Sequence, residues 1–484
     1  MRILLLNPPH LSIGSRLPKE HLPPLGLLCI GGPLLDAGHV VELFDADYHN
    51  SGMSRIVAEV LSRRPDVVMT GHAGSTSAQP IINEITKLIK AANPNIKIIL
   101  GGVFPTYHWH EVLASNPQID YIICGEGEQT ALNLINALAN NLDPKTLKGL
   151  AFNIKGTPFQ TTPADLIENL DEFRIGWELM RGYHYTYWGK HKAVVIQFSR
   201  GCPFPCTYCG QSLFWRKWRH RDPQKLADEF EMLHKEYGVE VFNFGDENPT
   251  YDKKAWQAFL EALIAKNMDI KLVGSIRADS IVRDADILHL YKKAGFEHFL
   301  LGIESYDAQV LESIKKGSTK SKDMEAIQLL RRHDILSMTS YVVGFGEEMT
   351  RDFYYSLKQL RAYDPDQIEF MYATPHKWTP FFTEAQNQEL VLTDQRKWDY
   401  RHQVLAVKRL KPWQVLLCVK LIEVIMQSRP KALKRLFFHR DKKIRQAMFW
   451  YTNIGKRVWF WEIFDFFFIT GVTKSKMQLK DFWK

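Results

Sequence analysis

Two blocks of short apolar runs that alternate with helix-patterned stretches constrain the fold of this chain more than any other feature. The first block spans residues 2–141 and contains runs such as RILLLN, VVELFDAD and IKIILGG. Nearly continuous apolar strands joined by helices favour a parallel sheet covered on both faces. We therefore predict an α/β protein whose first domain, residues 1–144, is a doubly wound, Rossmann-like sheet, with helices near 25–37 and 79–92.

The second block predicts a partial barrel. It follows residues 145–192, which are punctuated by Pro, Gly and Asn and are predicted to form a linker. Six βα units in succession favour an incomplete (βα)6 barrel over residues 193–378. Residues 379–484 are predicted to be mainly helical. The strand-like runs of the barrel lie at 193–198, 239–245, 270–275, 296–302, 336–344 and 366–373.

The composition excludes several classes of protein. With 45% hydrophobic and 24% charged residues, the chain is neither disordered nor a disulfide scaffold. The apolar run at the N-terminus is too short for a signal peptide. Residues 458–472 are too short a stretch, and are too charged at Glu462 and Asp465, to span a bilayer. We expect a cytoplasmic protein, and attachment to a membrane surface stays open.

Three cysteines follow the first strand of the predicted barrel. Cys202, Cys206 and Cys209 have the spacing C-x3-C-x2-C. Three thiolates on one loop can hold three corners of a four-iron four-sulfur cluster, which leaves the fourth iron open to a ligand. The alternatives are three incidental thiols and a zinc site, for which His220 is the nearest candidate for a fourth ligand. Structural zinc ligands typically come in two pairs, so this pattern favours the cluster.

This loop, with Tyr208 directly before the third cysteine, resembles the radical S-adenosylmethionine superfamily. The resemblance implies that the open iron binds S-adenosylmethionine and that cleavage of this cofactor gives a 5′-deoxyadenosyl radical. Barrel chemistry sits past the carboxyl ends of strands, where ion pairs at the rim are the alternative role. We expect a carboxylate to accept hydrogen bonds from the cofactor's ammonium group, Arg277 to pair with its carboxylate and Glu304 to meet its ribose. The predicted cofactor contacts are Tyr208, Gly245, Asp246, Glu247, Ser275, Arg277 and Glu304.

Three loops at predicted strand ends of the first domain carry glycines and hydroxyls, which let a ligand approach the backbone closely. A parallel-sheet domain before such a barrel resembles the cobalamin-dependent class of the superfamily, which implies that these loops hold cobalamin. Glycines that only serve the turns are the alternative. His49 lies in a D-x-H-x-x-G pattern, but after the second strand, so we do not predict that it binds cobalt. The predicted cobalamin contacts are Gly71, Ala73, Ser75, Thr76, Gly101, Gly102, Thr106, Gly125, Glu126 and Gly127.

Longer strings narrow the resemblance. The family of anaerobic magnesium-protoporphyrin IX monomethyl ester cyclases has similar strings at residues 211–221, 246–250, 283–286, 336–338, 374–380 and 398–402. The resemblance implies oxygen-independent oxidative cyclisation of the 13-monomethyl ester to divinyl protochlorophyllide in chlorophyll and bacteriochlorophyll biosynthesis, with the keto oxygen taken from water. It also implies an electron donor of the flavodoxin or ferredoxin type.

A flat, apolar, magnesium-bearing macrocycle with a propionate group requires aromatic surface, a basic group and an imidazole. Aromatic core packing is the alternative role for such residues. Two other functions stay open, namely a cobalamin-dependent methyltransferase that acts on another apolar substrate and a non-catalytic cobalamin or redox sensor. The predicted substrate contacts are Phe214, Trp215, Arg216, Trp218, His376 and Trp378.

The net charge of +8 is concentrated at the C-terminal end of the chain. Residues 401–484 hold 19 Lys+Arg, 5 Asp+Glu and 15 of the 59 aromatic residues. Nothing in the sequence resembles a nucleic-acid recognition fold, so we exclude nucleic acid as a partner. Basic residues interleaved with aromatic ones are typical of an interfacial surface, which predicts peripheral membrane contact through residues 436–484. The alternative is that these helices only cap the barrel.

Overall fold

A computed structural model describes residues 1–9, 20–72, 76–211, 213–215, 217–471 and 477–483. Three predicted contacts, Ala73, Ser75 and Arg216, lie outside the described residues. The chain forms two compact units. The N-terminal unit comprises residues 1–15, 23–184 and 213–215, and the C-terminal unit comprises residues 16–22, 185–212 and 216–484.

The N-terminal unit is built on a sheet with the strand order β2-β1-β3-β4-β5-β6-β7. The first five strands pair in parallel and the last two are antiparallel, which confirms the predicted parallel-sheet domain. The strands are β1 Arg2–Asn7, β2 Val40–Asp45, β3 Val67–His72, β4 Lys97–Gly102, β5 Tyr121–Ile123, β6 Leu150–Ile154 and β7 Thr157–Gln160. The helices are α1 Leu25–Asp36, α2 Met53–Arg63, α3 Gln79–Ala92, α4 Val103–Tyr107, α5 Trp109–Ser115 and α6 Glu128–Ala139.

Residues 150–160, for which the sequence predicted a linker, form the hairpin of β6 and β7. Lys155 and Gly156 join the two strands at positive φ, 49° and 82°. Two consecutive residues in that region close a tight hairpin whose twist matches that of its strands. Because β6 also pairs with β5, opposite Ile122 and Ile123, the hairpin extends the first sheet and the N-terminal unit continues beyond residue 144.

The C-terminal unit contains a sheet with the order β16-β15-β14-β13-β12-β9-β8. Six of its strands pair in parallel, namely β9, β12, β13, β14, β15 and β16, and β8 pairs antiparallel with β9 at the edge. The predicted six-stranded partial barrel is therefore confirmed. The strands of this unit are β8 Thr186–Tyr187, β9 His191–Ile196, β10 Ser199–Arg200, β11 Arg219–His220, β12 Val241–Phe244, β13 Lys271–Ile276, β14 Phe296–Glu304, β15 Leu336–Val343 and β16 Gln367–Tyr372.

Helices follow most barrel strands and cover them. Strand β15 is buried along its whole length, as expected for a strand with helices on one side and the barrel interior on the other. The helices are α7 Pro223–Tyr237, α8 Lys253–Ala265, α9 Ala278–Arg283, α10 Leu288–Ala294, α11 Ala308–Ser313, α12 Lys320–Arg332, α13 Thr350–Tyr363 and α14 Pro380–Glu384.

The C-terminal region is helical, as predicted. Its helices are α15 Pro412–Ser428, α16 Pro430–Phe438, α17 Lys442–Phe464 and α18 Leu479–Phe482, and a π-helical turn over Asp465–Thr470 continues α17. The first half of α17 packs Ile444, Ala447 and Met448 into a core that also contains residues from the starts of barrel strands. No helix in the described ranges has the length and hydropathy that a bilayer crossing needs.

Candidate functional site

The three cysteines lie on a loop whose ends are tied together. Strand β9 leads into β10, which pairs antiparallel with β11, Ser199 opposite His220 and Arg200 opposite Arg219. Two further backbone bonds hold the loop from outside: the Thr207 N–H donates to the Ile314 carbonyl at 3.1 Å, and the Phe381 N–H donates to the Thr207 carbonyl at 3.0 Å. The local sequence therefore presents the thiols on a constrained loop at the carboxyl ends of the strands.

Asp246 lies two residues after β12, the strand that pairs with β9, and it fixes the entry to this loop. Its carboxylate accepts hydrogen bonds from the Phe198 N–H at 3.1 Å and from the Ser199 N–H and hydroxyl at 2.5 and 2.7 Å. Burial raises the pKa of Asp246 to about 7, against the opposing effect of the Ser199 hydrogen bonds. Glu247 accepts from the Gly201 N–H at 3.3 Å. Both carboxylates thus support the cysteine loop, and their contact with a cofactor's ammonium group stays a prediction.

The three thiols are partly buried, and burial together with the charges of Cys209 and Cys206 raises the pKa of Cys202. Burial is the main cause that raises the pKa of Cys202, to about 11, and it also raises the pKa of Cys206. The positive charges of Lys316 and Arg277 oppose the shift at Cys206. A thiol must lose its proton to bind a metal, so iron would displace these protons on binding. Among the described residues, no three His, Cys, Asp or Glu side chains already stand in metal-ligand geometry, and the ligand role of the cysteines stays a prediction.

Two cations lie close to the cysteine loop, one directly after β13 and one in the loop between α11 and α12. Arg277, just after β13, lies 3.6 Å from the ring centroid of Phe204 in the loop, pairs with Asp279 at 2.8 Å and donates to the Lys316 carbonyl at 3.1 Å. The Lys316 ammonium pairs with Glu304 at 2.8 Å, and both side chains are buried. These positive groups suit an anionic cluster and the carboxylate of a bound amino acid.

Glu304 itself stands in a strained conformation at the end of β14. Its φ is 67°, a region that side-chain-bearing residues rarely adopt and that is common at functional sites. Burial, and next the charge of Glu304, raise the pKa of Tyr208 well above its usual value, so Tyr208 stays a neutral phenol beside the carboxylate. The amide of Asn248, 1% exposed, has no hydrogen-bond partner within the described chain, which fits a ligand with polar groups.

The predicted residues His376 and Trp378 lie next to Gly210, the residue that follows the last cysteine of the loop. The Trp378 indole N–H donates to the Gly210 carbonyl at 2.7 Å, and the two rings stack at 4.7 Å. His376 is fully buried, with its Nε2 atom 2.6 Å from the Tyr400 hydroxyl. A β-carbon on Gly210 would lie 3.2 Å from that hydroxyl and 3.4 Å from His376. The geometry makes these residues supports of the loop, and their contact with substrate stays a prediction.

The other predicted substrate residues divide between the two units. Phe214 and Trp215 fall in the N-terminal unit, where they pack edge to face at 4.8 Å. Trp218 falls in the C-terminal unit and donates from its indole N–H to the Asn248 carbonyl at 2.9 Å. Trp215 and Trp218 are partly exposed, whereas Phe214 is buried.

In the N-terminal unit, the predicted cobalamin residues lie at the carboxyl ends of the adjacent strands β3 and β4 or after β3, β4 and β5, so they share one edge of the sheet. Glycine is required there by close approach: a β-carbon on Gly71 would lie 2.2 Å from the Gly101 carbonyl oxygen. One on Gly102, where φ is 100°, would lie 2.4 Å from the His72 carbonyl oxygen. A β-carbon on Gly125 would meet no atom within 4 Å, so open space adjoins this backbone. Such an edge fits a large ligand laid against the main chain.

Side chains on this edge also stabilise it. The Thr106 hydroxyl donates to the Gly102 carbonyl at 2.7 Å and accepts from the Gly125 N–H at 3.0 Å, which ties the second loop to the third. Glu126 is buried and accepts from the Ile167 N–H at 2.8 Å. Thr76 is buried. A β-carbon on Gly127 would lie 3.2 Å from the Ile30 side chain, so the glycine leaves room for that side chain. Direct contacts of all these residues with cobalamin stay predictions.

Sequence reasoning missed three residues of the site: Phe204, Lys316 and Tyr400. Lys316 comes from a loop between barrel helices, where a lysine before glycine gives no signal. A hint lay in Gly302, because a β-carbon there would lie 2.5 Å from the Lys316 ammonium and 2.3 Å from a Glu304 oxygen. Tyr400 lies within one of the family-like strings, 398–402, but no role was assigned to it.

Comparison with known proteins agrees with this architecture. Residues 17–135 match the family model of the B12 binding domain, and residues 196–358 match that of the radical SAM superfamily. The structure of the cobalamin-dependent S-adenosylmethionine radical enzyme OxsB resembles the chain with a TM-score of 0.71, covering 95% of this chain and 72% of that one at 17% identity. At that identity the likeness shows the fold alone. Fold, cysteine loop and domain matches together define a cobalamin-dependent radical S-adenosylmethionine protein.

Two relatives narrow the class to a family. A protein of Synechocystis sp. named anaerobic magnesium-protoporphyrin IX monomethyl ester cyclase is 53% identical over 483 residues, which cover 100% of this chain and 97% of the relative. A protein of the same name from Rubrivivax gelatinosus is 32% identical over 79% of this chain and 70% of its own length. The chain belongs to the anaerobic magnesium-protoporphyrin IX monomethyl ester cyclase family.

Proposed function

We propose that this protein catalyses the oxygen-independent oxidative cyclisation of magnesium-protoporphyrin IX 13-monomethyl ester to divinyl protochlorophyllide. The observation that carries the proposal is the 53% identity to the Synechocystis cyclase along the whole chain. The reaction converts the esterified propionate into the isocyclic ring. Substrate and water give product with the loss of six hydrogens in all: the macrocycle loses four hydrogens, and water supplies the keto oxygen. The six electrons would be accepted by S-adenosylmethionine, which takes up two electrons for each molecule cleaved to methionine and 5′-deoxyadenosine.

The residues of the C-terminal unit have roles that fit this chemistry. A bound cluster with S-adenosylmethionine supplies abstraction of hydrogen from an unactivated carbon. Cys202, Cys206 and Cys209 would hold that cluster. Arg277 and Lys316 place positive charge beside the cysteine loop, where the carboxylate of S-adenosylmethionine would be recognised. Asp246 maintains the loop entry through three hydrogen bonds and so holds the thiols in place.

The N-terminal unit would hold cobalamin through the glycine-lined edge after β3, β4 and β5. The close approach of Gly71 to Gly101 and of Gly102 to His72 leaves no room for a side chain at Gly71 or Gly102, which suits a ligand that lies on the backbone there. Thr106 would keep the two neighbouring loops at fixed separation. The chain's own residues therefore bind and orient this cofactor in the proposal.

Two partners complete the proposal. The apolar porphyrin ester is the substrate, and an electron donor of the flavodoxin or ferredoxin type supplies the reducing electron that cleavage of S-adenosylmethionine requires. We also infer peripheral contact with a membrane, but through only part of residues 436–484, because the first half of α17 belongs to the barrel core.

The proposal is tested by anaerobic reconstitution of the full chain with iron and sulfide. The reduced protein is expected to form 5′-deoxyadenosine from S-adenosylmethionine in the presence of the porphyrin ester. Cys206→Ala is expected to abolish both cluster absorbance and 5′-deoxyadenosine, whereas Cys418→Ala, a cysteine outside the loop, is expected to change neither. An intact cluster spectrum in Cys206→Ala would contradict the ligand assignment.

A further inference from the structure

The second half of α17 and the π-helical turn after it expose an unusual set of apolar side chains. Six large apolar residues within ten positions are between 48% and 75% exposed. The rings of Phe464 and Phe468 stack at 5.1 Å, and the Trp461 ring lies 5.8 Å from that of Phe464. Exposed apolar residues are normal when scattered but not when clustered. We call this set the aromatic face; its members are Phe460, Trp461, Phe464, Phe467, Phe468 and Ile469.

The aromatic face is not a continuation of the barrel core. The first half of the same helix buries Ile444, Ala447 and Met448 against barrel residues. Its second half has no buried residue until Asp465. One helix thus contains a segment that caps the barrel and a segment that turns apolar side chains to solvent.

The exposed charges of the chain segment that carries the aromatic face, residues 405–471, are of one sign. Glu462 turns inward to the Lys420 ammonium at 2.5 Å. Asp465 turns inward to the Lys397 ammonium at 2.7 Å and to His402 at 2.9 Å. Each of the four acidic residues between positions 405 and 471 is at least partly buried. The exposed charges of this stretch are therefore lysines and arginines, including Lys456 and Arg457 one turn before the face.

The same inward ion pairs hold the face in place. Lys420 belongs to α15 and is 4% exposed, and its backbone carbonyl also accepts from the Trp459 indole at 3.3 Å. Lys397 and His402 belong to the segment between α14 and α15. Because both anchors are partly or wholly buried, the face is presented on a fixed support.

We propose that the aromatic face docks on an anionic lipid bilayer. Exposed rings that enter the headgroup boundary, beside basic residues and without a fully exposed carboxylate in residues 405–471, have the chemistry of a helix that lies in the plane of an anionic interface. This inference deepens the membrane contact proposed above. Binding of this kind does not depend on the reaction in the barrel, so the inference and the proposed reaction can fail separately.

Vesicle flotation with the full chain tests the inference. The protein is expected to float with vesicles of phosphatidylcholine and phosphatidylglycerol and not with phosphatidylcholine alone, and added salt is expected to release it. Phe460→Ser with Phe468→Ser is expected to lower the bound fraction at least tenfold. The matched control is Leu142→Ser with Tyr354→Ser, which removes two apolar side chains that are both 63% exposed elsewhere.

A charge-reversed pair keeps the test independent of the apolar substitutions. Lys456→Glu with Arg457→Glu is expected to weaken binding to anionic vesicles at least fivefold, whereas Lys254→Glu with Lys293→Glu, two exposed lysines on barrel helices, is expected to leave it unchanged. Absence of flotation, or equal flotation of wild type and both face variants, would overturn the inference. A wild-type dimer that becomes monomeric in the face variants, without flotation, would assign the face to a second copy instead.

Discussion

Trp378 connects the last barrel strand to the cysteine loop through one hydrogen bond. Its indole N–H reaches the Gly210 carbonyl from a buried position, and its ring stacks on His376, which in turn contacts Tyr400. A single side chain thereby sets the position of the residue that follows Cys209. If Trp378 also contacts the substrate, as predicted, it would have to do so while its indole N–H is bonded to this loop.

We expect Trp378→Phe to shorten the lifetime of the reconstituted cluster. The substitution keeps an aromatic ring but leaves the Gly210 carbonyl without its buried donor, which costs about 1–3 kcal/mol. Loss of visible absorbance in the presence of an iron chelator is expected to be at least fivefold faster. Trp398→Phe is the control, since that indole is also buried but donates to the Leu392 carbonyl at 3.2 Å, outside the loop. Equal cluster lifetimes in both variants would contradict the supporting role of Trp378.

Gly102 is the residue on which the proposed cobalamin edge depends most. Alanine there would be strained at a φ of 100° and would place its β-carbon 2.4 Å from the His72 carbonyl oxygen. We expect Gly102→Ala to weaken cobalamin binding at least tenfold, measured by spectral titration of the full chain. Gly38→Ala shares the positive φ, 80°, but its β-carbon meets nothing within 4 Å, so its cobalamin affinity is expected to be unchanged. Identical affinities in the two variants would rule out the assigned edge.

At the scale of elements, α16 is attached to the barrel by buried ion pairs at the end of α13. Asp364 accepts from Arg429 at 2.7 Å and from Arg435 at 2.9 Å. Burial alone would raise the pKa of Asp364, but the hydrogen bonds from Arg435 and Arg429 lower it to about 2. The ionised carboxylate therefore stabilises the attachment of the C-terminal helices.

Asp364→Asn is expected to lower the free energy of unfolding of the C-terminal unit by about 2 kcal/mol at pH 7. Because the folded pKa lies below the unfolded value, this contribution is present above about pH 4 and is lost as the pH falls through about 2. The difference between wild type and variant in denaturant unfolding should thus shrink between pH 7 and pH 3. Asp269→Asn, whose side chain is 92% exposed, should have no measurable effect. A difference that is constant with pH would refute the ion-pair account.

The elements that were predictable from the sequence are those with a strong local pattern. The apolar runs of β1 and β15 and the helical period of α3 are buried as the pattern indicates. The β6–β7 hairpin was not foreseen, because its turn, Lys155 and Gly156, lies between short strands with little alternation. The contact of Lys316 with Glu304 joins residues 12 positions apart, and that of Tyr400 with His376 joins residues 24 positions apart. Such contacts depend on the path of the loops, which cannot be predicted from a local sequence pattern.

At the scale of the whole molecule, the order of the two blocks carried most of the functional information. A parallel-sheet domain followed by a six-stranded partial barrel with three spaced cysteines defines the class, and full-length similarity defines the family. The net charge of +8, by contrast, indicated a function only when residues 401–484, with 19 Lys+Arg and 5 Asp+Glu, were considered separately from the rest of the chain. The basic, aromatic C-terminal region caps the barrel with one segment and exposes the aromatic face with another.

The central claim is tested most directly by the mass of the product formed from the porphyrin ester in water enriched in oxygen-18. With the reconstituted wild-type chain, S-adenosylmethionine, cobalamin and a reductant, we expect a product that has lost four hydrogens and gained one heavy oxygen. A product that has gained a methyl group, or a keto oxygen without the heavy isotope, would contradict the account.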